Sequence, residues 1–302
     1  MTDALLLDQD LALWSGRIAL PAPRPGQMVV RVGWSGVCCC DLHALRTGDR
    51  VTGWPATLGH EVAGTVESCP GGELPAGSKV VIDPRGPAHP GGFAGHVLID
   101  AGQAVACPDG LEAAIAVLAE PLAVAMHAVS RIPRPPERAA ILGYGPTGAL
   151  IQLELTRRWP DIDVAVVEPD ASRRELACAL GAGVVSRDEL AGRPPQLVVD
   201  AAGYPGSLAD ALALCQNEGT VLVVALGREP ELIVPAGLVE RGLTVAGSAG
   251  FCGELTDAVT VLAADPDRYR PVVTEAVLLD EAPSRLRELL GSPSPGKILI
   301  RP

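Results

Sequence analysis

Two different hydrophobic rhythms run along the chain. Up to about residue 130, short β-rich runs alternate with glycine and proline: MVVRVGW at 28–34, EVAGTVES at 61–68, SKVVID at 78–83 and FAGHVLID at 93–100. Valine-rich runs bounded by turn formers predict strands, so this part reads as an irregular β domain. After the proline-rich IPRPPE at 132–137 the pattern changes. Apolar strands now alternate with helical stretches of roughly 10 to 15 residues, which predicts βα units around a parallel sheet. AAIL precedes a helix from about Thr147, DVAVVE precedes SRRELACALGA, QLVVDAA precedes GSLADALALCQ, and TVLVVALG is followed by LTVAGSA and ELTDAVTVLAAD. The tail, PVVTEAVLLDEAPSRLRELL and then GKILIRP, falls outside this alternation and is expected to rejoin the first domain. The predicted fold class is α/β, with a β-rich domain over 1–130 that takes back 266–302, and a doubly wound parallel-sheet domain over 131–265.

Composition narrows the partners. The chain has 302 residues, 48% of them apolar, which is enough for two packed cores. The opening MTDALLLDQDLALW carries no basic leader, and the most apolar later stretch, LEAAIAVLAEPLAVAMHAV, is interrupted by Glu112, Glu120 and Pro121. Neither a signal peptide nor a membrane span is expected. A net charge of -12, with Lys79 and Lys297 as the lysines, argues against nucleic-acid phosphates and for a small-molecule partner. The eight cysteines have no regular spacing and read as reduced thiols, which points to a cytoplasmic address.

ILGYGPTGAL places Gly143, Gly145 and Gly148 in G-x-G-x-x-G register, with Pro146 and Thr147 between, after a strand and at the mouth of a helix. That context makes the pattern a dinucleotide loop: the glycines allow a tight turn, close backbone approach to a pyrophosphate, and helix–strand packing. The helix start adds free N–H groups and its dipole. Glu168, at the end of DVAVVE, is placed to accept hydrogen bonds from the adenosine ribose and to repel a 2′-phosphate. NAD is therefore expected over NADP, with Arg173 and Arg174 close enough in sequence to bear on that choice.

The first half also holds thiolate, imidazole and carboxylate donors suited to a zinc ion that keeps one position open: Cys38, His60 and Glu61, with Glu120 as a second carboxylate. G-V-C-x-x-D-L-H, then G-H-E, then A-E-P-L-A-V-A-M-H-A, then the glycine loop, in this order and over nearly the whole chain, resembles the medium-chain zinc-dependent alcohol and polyol dehydrogenases, most of all the sorbitol dehydrogenase-like branch. The resemblance implies a GroES-like catalytic domain, a Rossmann domain, and a cleft between them for zinc, nicotinamide and substrate. It implies that Cys38, His60 and Glu61 ligate one catalytic zinc, Glu61 as a ligand or switchable carboxylate, and that Glu120 is a fourth ligand or holds the zinc-bound water. Cys40 stands where the family carries the serine or threonine that takes the alcohol proton, and His43 matches the histidine that releases it. Cys39 is expected to pack as a small hydrophobe. Lys297 is expected near the pyrophosphate.

The lobe that holds a second, structural zinc in many relatives is crossed here by IDPRGPAHPGGFAGHV, which has no cysteine, so no structural zinc is expected; His89 and His96 nearby are not expected to be ligands. Trp54 and Leu45 are expected to wall the substrate pocket, with Arg46 in reach of a polar group. The implied reaction is reversible hydride transfer between a secondary alcohol, first a polyol, cyclitol or sugar-like one, and NAD, in a homodimer or homotetramer. The alternatives are a zinc-free NADPH-dependent quinone or enoyl reductase of the same superfold, and a catalytically inactive nucleotide-binding protein.

Overall fold

The chain opens with an antiparallel hairpin, β1 (Thr2–Leu7) and β2 (Leu13–Ile18), whose register runs from Thr2↔Ile18 to Leu7↔Leu13. It continues through β3 (Gln27–Gly36), α1 (Cys39–Thr47), β4 (Glu61–Ser68), β5 (Lys79–Ile82), β6 (His96–Asp100), β7 (Ala104–Ala106), α2 (Ala113–Ala116) and α3 (Ala119–Ser130). Then follow β8 (Arg138–Leu142), α4 (Pro146–Arg158), β9 (Asp163–Val167), α5 (Ala171–Ala179), β10 (Gly183–Val184), α6 (Arg187–Gly192), β11 (Leu197–Asp200), α7 (Ser207–Leu214), β12 (Thr220–Val223), α8 (Pro235–Arg241) and β13 (Thr244–Gly247). The tail holds α9 (Leu255–Ala264), α10 (Pro266–Tyr269), β14 (Val273–Leu278), α11 (Ala282–Leu289) and β15 (Lys297–Arg301). These elements belong to a computed structural model that describes residues 1–49, 51, 53–86, 91–292 and 294–302.

The chain divides into one unit of Met1–Glu120 with Leu255–Pro302 and a second of Pro121–Glu254. The crossings thus fall at Glu120 and Leu255 rather than at the expected 130 and 266. α9, read from the sequence as the last element of the alternation, packs against α2 and α10 and so belongs to the first unit. Its apolar positions Leu255, Ala258, Val259 and Leu262 are buried, and helical spacing alone does not say which neighbour buries them.

In the first unit a sheet runs β14-β15-β3-β4-β5-β7, with β6 also on β3. Met28, Val30 and Val32 of β3, Val62 and Val66 of β4, Val80 and Ile82 of β5 and Val97 and Ile99 of β6 pack into one apolar core. Their spacing of two is the alternation of a strand with one buried face. A second core joins Leu5, Leu7 and Leu13 of the hairpin to Ala44 and Leu45 of α1, Phe93, and the tail residues Leu286, Leu289, Ile298 and Ile300. The C-terminal strand β15 is inserted between β14 and β3, pairing Leu299 with Gly36 and Ile300 with Ser35.

The second unit is a parallel sheet of order β10-β9-β8-β11-β12-β13. Leu197–Asp200 of β11 are buried at every position, the continuous pattern of a central strand covered on both faces. The order reverses at β8, whose neighbours are β9 and β11, so the loop after β8 lies at the switch point where such sheets bind ligands. β13 closes one edge, with Thr244, Val245 and Gly247 exposed.

Ala113–Ser130 is long and apolar enough by length and composition to cross a membrane, but 67% of it is buried inside the protein. It carries Glu120 at its middle and reads as core.

Candidate active site

Three neighbouring strands bring the expected donors together. β15, β3 and β4 lie side by side, and the end of β3 faces the start of β4, with Gly36 opposite Glu61. The chain leaves β3 at Val37, whose N–H donates to the Ile298 carbonyl at 2.9 Å, and turns into α1 with Cys38 as the N-terminal cap. Gly59, with φ +91, makes the turn into His60 and Glu61; a Cβ there would meet the Phe93 ring at 2.5 Å. The result is one group: ligand atoms of Cys38, His60 and Glu61 all lie within 4.8 Å of one another.

The surroundings orient each donor. Asp41, 2% exposed, accepts the Cys38 N–H at 2.9 Å and the Gly59 N–H at 3.1 Å, and its Oδ1 lies 3.6 Å from His60 Nδ1. It is a buried carboxylate standing behind the imidazole, on the side where metal-ligating histidines usually have an acceptor. Burial favours the neutral imidazole, but Asp41 and then Cys38 outweigh it and push the His60 pKa up. Hydrogen bonds from Cys39 and Cys40 hold the Cys38 thiol well below its usual value, helped by His60 and Lys297 against burial. The same contact with Cys38 raises Cys40, and raises Cys39 to about 11.

Glu61 is 1% exposed. Its Oε1 accepts from Lys297 Nζ at 2.6 Å, while its Oε2 is buried with no hydrogen-bond partner among the described residues. A buried carboxylate oxygen left unsatisfied is an acceptor set aside for a cation. Thiolate, imidazole and carboxylate at this spacing fit a zinc-class ion, so the residues present fit the metal that the fold implies. Gly36 makes room for the carboxylate, since a Cβ there would lie 2.0 Å from Glu61 Oε2. Burial raises the Glu61 pKa, with the Lys297 charge opposing.

Some expectations change. Lys297 is 3% exposed and lies inside the first unit, its ammonium donating to Glu61 and to the Val37 carbonyl at 3.1 Å. The pyrophosphate role expected of it is replaced by that of counter-charge to Glu61. Burial opposes its charge, but Glu61 and Cys38 hold it protonated. Glu120, at the first turn of α3, stands outside the 4.8 Å donor set and so is not placed as a direct ligand. Burial, then the charge of Glu61, pushes its pKa up to about 8. Cys39 is exposed rather than packed. Leu45 is buried in the core and does not wall a pocket, and Arg46 donates to the Leu290 carbonyl at 2.8 Å. Trp54 is 41% exposed.

His43, one turn into α1, sets its Nε2 3.0 Å from Asp49 Oδ2 and 3.3 Å from Thr47 Oγ1. His96 is engaged by Glu67 at 2.9 Å and Thr2 at 3.2 Å, and His89 lies outside the described residues. Sequence reading missed Asp41. Its signal was the C-x-x-D spacing, which is a capping box with cysteine in the cap position.

In the second unit, Gly143 (φ +86) turns the chain after β8, and Gly148 lets α4 approach it, since a Cβ on Gly148 would lie 2.4 Å from the Gly143 carbonyl. α4 starts with Gly145 as its cap and Pro146 at its first position, leaving early N–H groups free. Glu168, just past β9, accepts the Tyr144 N–H at 2.6 Å and the Asp170 N–H at 2.9 Å. Arg173 Nη1 is 4.0 Å from Glu168, and its guanidinium would lie 3.8 Å from a Cβ on Gly145. Gly143, Gly145, Pro146, Thr147 and Gly148 thus follow the end of β8, with Glu168 and Arg173 beyond the adjacent end of its parallel neighbour β9.

Two family models match: the alcohol dehydrogenase GroES-like domain over residues 24–134 and the zinc-binding dehydrogenase domain over 158–264. The chain belongs to the medium-chain dehydrogenase/reductase superfamily, in its zinc-dependent alcohol and polyol dehydrogenase class. Among similar proteins is (R,R)-butanediol dehydrogenase of Bacillus subtilis, 26% identical over 93% of this chain and 94% of that protein. The crystal structure of the Bacillus subtilis 2R,3R-butanediol dehydrogenase superposes with a TM-score of 0.89, covering 100% of both chains at 25% identity. Sorbitol dehydrogenase of Gallus gallus is 25% identical over 87% of this chain and 86% of its own length. A protein of Sinorhizobium meliloti 1021 solved bound to NADP is 27% identical, with a TM-score of 0.87 over 100% of this chain and 99% of that one.

Proposed function

We propose that this alcohol and polyol oxidoreductase catalyses reversible hydride transfer between a secondary alcohol carbon, in a polyol, cyclitol or sugar-like molecule, and the nicotinamide of NAD, with one catalytic zinc. The observation that carries the reading is the convergence of Cys38, His60 and Glu61 donor atoms within 4.8 Å, with Glu61 Oε2 buried and without a partner among the described residues. Zinc, when bound, supplies the Lewis acidity that lowers the pKa of an alcohol oxygen. Cys38 and Glu61 bring two anionic donors, which soften that acidity and suit an oxygen that must leave in either direction. Asp41 holds His60 in orientation, and Lys297 holds Glu61. Cys40 and His43 lie on the same helix, three residues apart and on one face. Cys40, a neutral thiol, is the residue set to relay the alcohol proton, taking it up as it passes its own proton on toward His43, which releases it to solvent beside Asp49 and Thr47.

NAD over NADP is supported by Glu168, whose carboxylate is fixed by two N–H donors and presents negative charge where a 2′-phosphate would sit. Arg173 works in the opposite sense, and the similar Sinorhizobium meliloti protein was solved with NADP. Relatives that act on butanediol and sorbitol support the polyol class. A cytoplasmic homodimer is part of the reading. The edge strand β13 exposes Val245, and nearby Leu232 and Val239 are 92% and 80% exposed, which suits pairing with a second copy.

The test is elemental analysis together with NAD+ and NADP+ reduction over a polyol, cyclitol and alcohol panel. About one zinc per chain, lost with turnover in Cys38→Ala, is expected. NADPH oxidation by a metal-free chain, or nucleotide binding without turnover on the whole panel, refutes the proposal.

A further inference from the structure

The same turn holds a second set of donors, of which the dehydrogenase reading takes Cys38 as a metal ligand and Cys40 as a proton relay and leaves Cys39 without a task. Cys38, Cys39 and Cys40 offer three sulfur atoms that all lie within 4.8 Å of one another, at the cap and first two positions of α1. Cys38 Sγ and Cys39 Sγ are 3.9 Å apart. Two thiolates on one tetrahedral ion at about 2.3 Å each stand roughly 3.8 Å apart, so this pair already has the spacing that a shared ion requires. Consecutive residues seldom point three side chains to one place. Here the extended backbone of Cys38 (φ -104, ψ 156) swings its sulfur over the first helical turn, where those of Cys39 and Cys40 lie.

We infer that the Cys38–Cys39–Cys40 turn is a second, all-sulfur metal site for a soft, thiophilic cation such as Cd2+ or Cu+, adjoining the mixed set of Cys38, His60 and Glu61. An all-thiolate set holds soft ions most tightly and accepts zinc as well, whereas the mixed set with imidazole and carboxylate suits zinc. The site opens to solvent through Cys39, which is exposed, so an ion enters without passing the buried carboxylate. The start of α1, a nine-residue helix, favours negative charge at these positions through its dipole. On binding, each metal–sulfur bond replaces a sulfur–hydrogen bond, and the thiol protons pass to bulk buffer. No change in oxidation state is involved.

The inference shares Cys38 with the zinc set but does not depend on turnover. A chain inactive on every alcohol that still binds Cd2+ through three sulfurs refutes the proposed function and leaves this site standing. The experiment titrates the full-length, metal-stripped protein with Cd2+ and reads the thiolate-to-cadmium charge-transfer absorbance per bound ion, which counts metal–sulfur bonds. Wild type is expected to give the intensity of three thiolates, and Cys39→Ser/Cys40→Ser about one third of it. His60→Ala, with all three thiols intact, is expected to keep the full band. Far-UV circular dichroism checks the fold of each variant; should the double variant be unfolded, Cys39→Ser alone is expected to show about two thirds of the intensity. A one-thiolate band in wild type, a band unchanged by the serine substitutions, or a band abolished by His60→Ala overturns the inference.

Discussion

Replacing Lys297 with methionine tests how the site is held. The ammonium lies 2.6 Å from Glu61 Oε1, and the two side chains are 3% and 1% exposed, so the pair has no access to water. Removing one partner of such a pair leaves the other buried and uncompensated, which costs about 3–5 kcal/mol. At roughly 2–4 °C per kcal/mol for a unit of this size, the metal-free protein should melt about 6–20 °C lower. The loss should depend on pH. Burial already raises the Glu61 pKa against the opposing Lys297 charge, and without the lysine it rises further. A carboxyl whose folded pKa is raised adds stability at low pH that is lost as pH climbs through the folded value, so the defect should be smaller at about pH 5 than at about pH 8. Zinc bound by Cys38, His60 and Glu61 supplies the missing positive charge, so saturating metal should recover most of the loss. The assay is calorimetric melting of wild type and Lys297→Met at both pH values, with zinc and with chelator. A fall equivalent to under about 1 kcal/mol, the scale of an exposed pair, refutes the reasoning. So does a larger fall that is indifferent to both pH and zinc.

Other substitutions probe the remaining parts. Gly36→Ala places a Cβ 2.0 Å from Glu61 Oε2, so it should destabilise by about 1–3 kcal/mol in denaturant melts and weaken zinc retention. Asp41→Asn keeps the volume but removes the charge behind His60 and one of the two oxygens that accept the Cys38 and Gly59 N–H groups, and zinc affinity in competition with a chelator should fall about 10–100-fold. Glu168→Gln weakens a charged acceptor worth about 1.5–3 kcal/mol, so the NAD+ dissociation constant, read by fluorescence quenching, should rise about tenfold or more, with NADP+ binding less affected. Cys40→Ser restores the hydroxyl usual at that position and should keep or raise alcohol oxidation; a loss beyond tenfold with zinc still bound would show that the thiol has a duty of its own.

Much of the architecture is written in the local pattern. The switch from two-residue to helical periodicity after IPRPPE separates strands such as EVAGTVES, which is β4 residue for residue, from the βα units that follow. The G-x-G-x-x-G loop is legible because it is local: a positive φ at Gly143 and close packing at Gly148 are demands on single residues. Cys38, His60 and Glu61 could be named because their residue types carry the chemistry. Their neighbours could not. Lys297 is separated from Glu61 by most of the chain, and β15 brings it home by sliding between β14 and β3, a pairing that no periodicity encodes. A lone lysine in GKILI has the same local pattern at a surface as beneath a buried carboxylate. Asp41 reads as a helix cap until the turn at Gly59 delivers His60 to its other oxygen. Sequence alone determined which side chains can bind a metal or a nucleotide, because that is set by atoms within each residue. Which buried charges face one another was decided only by tertiary structure, because long-range strand order sets those distances.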